Sequence, residues 1–404
     1  MAVTHAYPVE GGVTAGSEVH HEVLRPTSVR TRSGYLDVLR AAALVRVVLY
    51  HSLAVWWLHT ALPAIGIMFG VAGSLVAASL TRRASLGVVG SRLKRLLLPL
   101  WCYGLATILV GWEMQGPHGR DWARLPLWIL PLRDPHESPA GVGLVDTLWY
   151  LRTYVWFLLL SPLLLRAFRR APWTSVVTPL ALLPVVALAG HGWPGHGEIT
   201  AALMYGSCWL LGFAHHDGLL ARVPSWVAYG LVGLGALAQV GLVLELPIGH
   251  PADSGYFDLG DGLWSASCVL VLLRWQPRMD WLARVPGLRR GVAVMNARAV
   301  TIYLWHDAAI VAAGLAVGAL ALPASVRLPL IVILIVLAVL AVGWIEDLAA
   351  GRSPELLPTD RREHLSGRET VHVRDRIHHR FVDGARQPHD RARAGSRQPD
   401  AGTR

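Results

Sequence analysis

Long apolar stretches, nearly free of charge, recur along this chain between short polar turns, and few folds tolerate such a pattern. A helical run of about 18 or more such residues matches the roughly 30 Å hydrocarbon thickness of a bilayer. Composition agrees with that reading. Charged residues make up 16% of the 404-residue chain and hydrophobic ones 53%, against about 25% charged in an ordinary soluble protein. The expected fold is therefore all-α, a polytopic integral membrane protein with about ten transmembrane helices. Spans are predicted at 36–58, 61–80, 96–112, 148–165, 174–190, 199–214, 225–245, 262–275, 296–318 and 326–347.

The arginines support this count. Cytoplasmic loops of membrane proteins are enriched in basic residues. Arg25, Arg30 and Arg32 precede the first span. Arg82, Arg83, Arg92, Lys94 and Arg95 follow the second, and Arg166, Arg169 and Arg170 follow the fourth. Arg222 lies in the sixth-to-seventh loop, and Arg274, Arg278, Arg284, Arg289 and Arg290 in the eighth-to-ninth. All fall on one side if both termini are cytoplasmic. The alternate loops at 59–60, 191–198, 246–260 and 320–325 hold no arginine. The long 113–147 loop is mixed, with Arg120, Arg124 and Arg133 offset by five acidic residues. The expected location is the plasma (inner) membrane, multi-pass. Residues 1–34 and 349–404 lack apolar periodicity and are expected to be disordered cytoplasmic tails, the second rich in Arg and His. The membrane domain is then 35–348. Cys102, Cys208 and Cys268 lie within apolar runs and imply no disulfide framework. No phosphate-binding glycine loop, dinucleotide fingerprint or serine-nucleophile elbow is present, and no nucleic-acid partner is implied.

Ionisable groups inside a span are costly and point to function. The first span carries four: Asp37, Arg40, Arg46 and His51. Arg40 and His51 are eleven residues apart, which puts them on one helix face about 16 Å apart along the axis. Asp37 shares that face and has the spacing to pair with Arg40, whereas Arg46 points elsewhere. An imidazole within the membrane can act as a general base near neutral pH. The bland alternative is that Asp37 and Arg40 snorkel to the interface and that His51 is a hydrogen-bonded core residue. His191 and His196 have no Cys or acidic partner at ligand spacing, so no metal is expected.

These residues belong to a longer series. Leu36-Asp37-Val38-Leu39-Arg40 resembles the opening of acyltransferase family 3, and Arg40 with His51 its Arg-x10-His pattern. Met68-Phe69-Gly70-Val71-Ala72-Gly73 resembles the family's second-span motif, and Arg92 and Arg95 its Arg-x-x-Arg. Leu148-Trp149-Tyr150-Leu151, Tyr303-Leu304-Trp305-His306 and Glu346 follow in the family's order. Val38 and Ala41 stand where glycines are common. Arg152-Thr153-Tyr154 replaces the x-x-Glu tail of the fourth-span motif found in many glycan O-acetylases.

The resemblance implies a ten-helix membrane O-acyltransferase with no permanently bound cofactor. Its donor substrate would be acyl-CoA, most simply acetyl-CoA. Its acceptor would be a cell-envelope glycan, a glycolipid or a secreted secondary metabolite. It implies catalytic roles for His51 and Arg40, and donor or substrate contacts for Asp37, Arg92, Arg95, Trp149, Arg152, Tyr303 and His306. Residue chemistry alone leaves Arg92 and Arg95 open between phosphate binding and plain cytoplasmic charge. His306 is open between pore lining and an outer-interface role, and Arg152 between substrate contact and packing on Trp149. Glu346 is expected to pair with a loop arginine. Two rivals remain at this level: a multi-pass transporter of a small solute or glycolipid, and a scaffold whose basic tail recruits anionic partners. No internal repeat supports the transporter.

Overall fold

The computed structural model describes residues 34–115, 129–133, 144, 148–190, 193–245 and 255–356. The predicted tail at 1–33, most of the 113–147 loop and the chain from 357 onward lie outside the described residues. Within them the chain is all-helical: α1 (Gly34–Leu53), α2 (Trp56–Ala61), α3 (Ala64–Leu80), α4 (Ser85–Gln115), α5 (Leu148–Arg170), α6 (Pro172–Leu188), α7 (His196–His216), α8 (Ser225–Glu245), α9 (Gly255–Arg274), α10 (Pro286–Ala297), α11 (Ala299–Ala319), α12 (Arg327–Val342) and α13 (Ile345–Ala349).

Among the described residues, four helical stretches are long and apolar enough to cross a membrane: Ser85–Val110, Leu148–Arg170, Ala299–Ala319 and Ala324–Val342. Ala64–Leu80, Pro172–Leu188 and Ser225–Val240 are shorter apolar helices. The last long stretch shows what kind of solvent it faces. Its mean hydropathy is 2.8, yet on α12 only Ile331, Ile335 and Val339 are buried, one residue per turn. Val332, Ile333, Val336 and Leu337 point outward. In water such a face would be a large aggregation liability. Against acyl chains it is the expected surface, because lipid tails are as apolar as leucine.

Local chemistry sets the helix ends. Pro172 opens α6 at the position where a missing N–H costs nothing. Gly195 (φ 91°) precedes α7, and Gly218 (φ 75°) follows it, the conformation that glycine adopts without a Cβ penalty. The first predicted span ends earlier than expected. Ala54 takes φ 53°, so α1 stops at Leu53 and the short α2 carries the chain back to Pro63. The arginine-rich segment predicted as a plain loop contains α10, which turns Val292 inward, half-buries Arg289 and leaves Arg290 exposed.

At the centre α3 lies against α7, with α9 and α1 on its other sides. Phe69, Trp209 and Phe213 are fully buried there, and the Trp209 indole donates to Ser161 Oγ at 3.1 Å. The α3–α7 crossing depends on glycine. A Cβ on Gly73 would strike the Trp209 carbonyl, and one on Gly212 would strike the backbone of Gly70 and Ser74. Small residues at helix contacts are a main source of packing in membranes, where no hydrophobic force drives the helices together. Since the obstacles are backbone atoms, they cannot swing aside as a side chain would. Gly212→Val is expected to cost at least about 1–3 kcal/mol, the usual penalty for overpacking. Thermal unfolding in detergent beside Gly87→Val, which meets open space, checks this: equal melting of the two variants would contradict it.

Candidate active site

The charged stripe of α1 faces α11. At one end of the stripe, Arg40 is half-buried and lies close enough to the Tyr150 phenol and the Glu346 carboxyl to act on both electrostatically. At the other end, the His51 and His306 rings meet edge to face with centroids 5.2 Å apart. Buried aromatic rings lie between. Tyr303 packs on Tyr150 (4.9 Å) and on His306 (5.6 Å), and Tyr150 packs on Phe69 (4.8 Å). A helix face, an aromatic lining and two imidazoles thus form one continuous wall.

The two histidines differ in setting. His51 is exposed near the end of α1. His306 is fully buried, and its Nδ1 lies 2.5 Å from the Tyr303 carbonyl. A carbonyl can only accept, so Nδ1 carries the proton in that bond. The Nε2 atom then faces Asp307, whose Oδ1 is 3.3 Å away. Nε2 makes no hydrogen bond.

The other predicted residues separate into groups. Trp149 stacks on Tyr205 at 5.7 Å. Arg152 is buried and pairs with Glu198 at 3.7 Å. The Asp37 carbonyl accepts from Asn296 Nδ2 at 2.8 Å, a tie between α1 and α10. Arg92 is occupied by helix packing: its Nη2 donates to Leu75 O (2.8 Å) and Ser79 Oγ (3.0 Å) at the end of α3. Arg95 is exposed, and the charges of Arg352, Arg92 and Arg83 bear on it. The structure therefore brings His51, His306, Tyr303 and Arg40 onto one wall and leaves Arg92 and Arg95 in a separate basic cluster.

The expected partnership of Glu346 with a loop arginine is corrected. Glu346 is buried and accepts from both the amide (2.8 Å) and the hydroxyl (2.7 Å) of Thr301. The arginine partner is its neighbour: Asp347 binds Arg298 at 2.6 Å and Arg352 at 2.8 Å. Arg298 also donates to the Glu355 carbonyl. A carboxylate accepts several strong bonds at once, and Asp347 is placed where two arginines meet.

Sequence reasoning missed Asp307 and Asp261, and it set Arg46 on another face without a role. Asp307 adjoins His306 inside an apolar helix, and the rule that flagged the first span applies to it equally. Arg46 is buried, donates to Leu58 O at 2.9 Å and lies over the Tyr50 ring at 5.1 Å. With Asp261, Tyr205 and Trp264 it lines a small pocket. Asp261 is held by Gln239 at 2.7 Å.

A family described as an acyltransferase domain, acyltransferase family 3, matches residues 33–346. No curated protein and no solved structure matches the chain.

Proposed function

The chain belongs to acyltransferase family 3, a membrane acyltransferase family, and from that premise we propose that it moves an acyl group from acyl-CoA to a hydroxyl, with His51 as the base. The acyl group is most simply acetyl. The acceptor is a cell-envelope glycan, a glycolipid or a secreted secondary metabolite. The observation that carries the reading is the α1 wall, where Arg40 and an exposed His51 share a face with buried aromatic rings between them.

His51 accepts the proton of the acceptor hydroxyl as its oxygen attacks the thioester carbonyl. The C–S bond then breaks, and CoA leaves as the thiol once protonated. Arg40 stabilises negative charge that develops along the way, as a preorganised cation does at an oxyanion. The donor enters from the cytoplasmic side, where its phosphates meet the arginine cluster. Arg95 suits this role better than Arg92, because Arg92 is engaged by Leu75 and Ser79. Tyr303 and Tyr150 line the path, and Trp149 and Arg152 border the acceptor end.

The frame for this chemistry is ten spans with both termini in the cytoplasm, in the plasma membrane. Reporter fusions after residues 84, 171 and 223 should read as cytoplasmic, and a reporter between 190 and 195 as external. A fusion at 171 and one at 193 reading on the same side would remove the ten-span frame. The reaction is tested with labelled acetyl-CoA and membranes holding the protein. Label should pass to a hydroxyl compound of the producing cell in an ester that mild alkali cleaves. Solute uptake or efflux that depends on the protein, without any labelled ester, would favour the transporter.

A further inference from the structure

We propose that His306, Asp307 and His51 form a binding site for a divalent transition metal ion of the Zn2+ class. Donor atoms of the three side chains all lie within 4.8 Å of one another. The tautomer of His306 is fixed by its backbone contact. Its Nδ1–H is committed to the Tyr303 carbonyl at 2.5 Å, which leaves the Nε2 lone pair aimed into the cluster. A histidine that binds a metal usually donates its other N–H to a carbonyl or carboxylate in this way, which fixes the ring and raises its basicity.

The second observation is what Nε2 faces. It is fully buried and makes no hydrogen bond, and Asp307 Oδ1 lies 3.3 Å away. Two lone-pair donors face each other across that gap. A charge-assisted N–H···O bond would be about 2.7–2.9 Å. A distance of 3.3 Å suits the edge of a tetrahedron whose centre lies about 2.0–2.1 Å from an imidazole nitrogen and about 2.0–2.2 Å from a carboxylate oxygen. A cation at the centre resolves the conflict between the two.

His51 supplies the third ligand from α1. Two imidazoles and one carboxylate are a ligand set for zinc and its neighbours, and three protein ligands leave one coordination position open. Because His51 is exposed, that position lies toward the accessible side. The spacing of His and Cys along the sequence could not reveal the site, since its ligands come from α1 and α11. Binding of the ion does not depend on the acyl-transfer reading. If that reading also holds, the ion and the proton compete for the same His51 lone pair.

The test uses the full chain, purified in detergent and stripped with a chelator, then titrated with Co2+ in a non-coordinating buffer. Tetrahedral Co2+ absorbs strongly in the visible, whereas adventitious ions in octahedral, mostly water coordination give weak bands. The wild type should show one equivalent with the tetrahedral spectrum, displaced by Zn2+. Asp307→Asn and His51→Ala should each bind at least about tenfold more weakly, as expected for loss of a metal contact. His51 is exposed, so that variant keeps the test valid if Asp307→Asn fails to fold. Absence of a tetrahedral band in the wild type, or the same band in wild type and both variants, would overturn the proposal. Transfer activity without any metal binding would overturn this site and leave the proposed reaction intact.

Discussion

His51→Ala should lower acyl transfer by about 10²–10⁴-fold, the span that a positioned general base contributes. Three features make the expectation specific. His51 sits at the open end of the α1 wall, where a hydroxyl has access. Its ring meets the His306 ring edge to face, with centroids 5.2 Å apart, which orients the imidazole at that end. Because the side chain is exposed, truncation should leave the melting temperature nearly unchanged, so lost activity cannot be put down to unfolding. His51→Gln restores the volume without a base of useful strength and should be as inactive as alanine. Initial rates with labelled acetyl-CoA, beside thermal unfolding of both variants, check the prediction. A rate within about threefold of wild type would remove His51 from the mechanism, since even the lower end of the base contribution is about 10²-fold.

Asp347→Asn should destabilise the protein by about 3–5 kcal/mol, the usual cost of stranding one partner of a buried ion pair. Arg298 is fully buried and its strongest contact is the Asp347 carboxylate at 2.6 Å. Its Nε and Nη1 atoms make no hydrogen bond, and among the described residues Asp347 is the carboxylate that forms an ion pair with it. The neighbouring Glu346 is held by Thr301 and is not free to swing across. Replacing both partners with apolar residues, Arg298→Met with Asp347→Leu, should recover much of the loss, because two buried charges and their desolvation disappear together. A double-mutant cycle read by thermal unfolding separates the cases. A single variant as stable as wild type would mean that the pair does not hold the end of α13 against the start of α11.

The sequence displayed the α1 stripe because two periodicities coincide there: an apolar run that defines a span, and an eleven-residue interval that returns to the same helix face. His306 was visible through its place in Tyr303-Leu304-Trp305-His306, although its contact with His51 was not, since nothing local to either helix states which neighbours they acquire. Arg92 stayed open between phosphate binding and plain cytoplasmic charge for a similar reason. Its actual partners are carbonyl and hydroxyl oxygens at the end of α3, groups that any sequence contains. Glu346 and Asp347 are adjacent and chemically alike, so only packing could assign threonine to one and two arginines to the other. The early end of α1 was hidden because the residue in the left-handed region is Ala54, where a glycine would have announced the turn. Asp307 and Asp261 could have been found, because each is a charge set in or beside an apolar run.

The most direct measurement of the central claim needs no knowledge of the acceptor. It is the thermal stability of the purified protein with acetyl-CoA, free CoA or ATP. A ligand at about 100 times its dissociation constant adds roughly 2.7 kcal/mol to the folded state. Acetyl-CoA and CoA should both raise the melting temperature, ATP should not, and Arg95→Gln should weaken the shift. No shift at millimolar acetyl-CoA would contradict the assignment of an acyl-CoA donor to this chain.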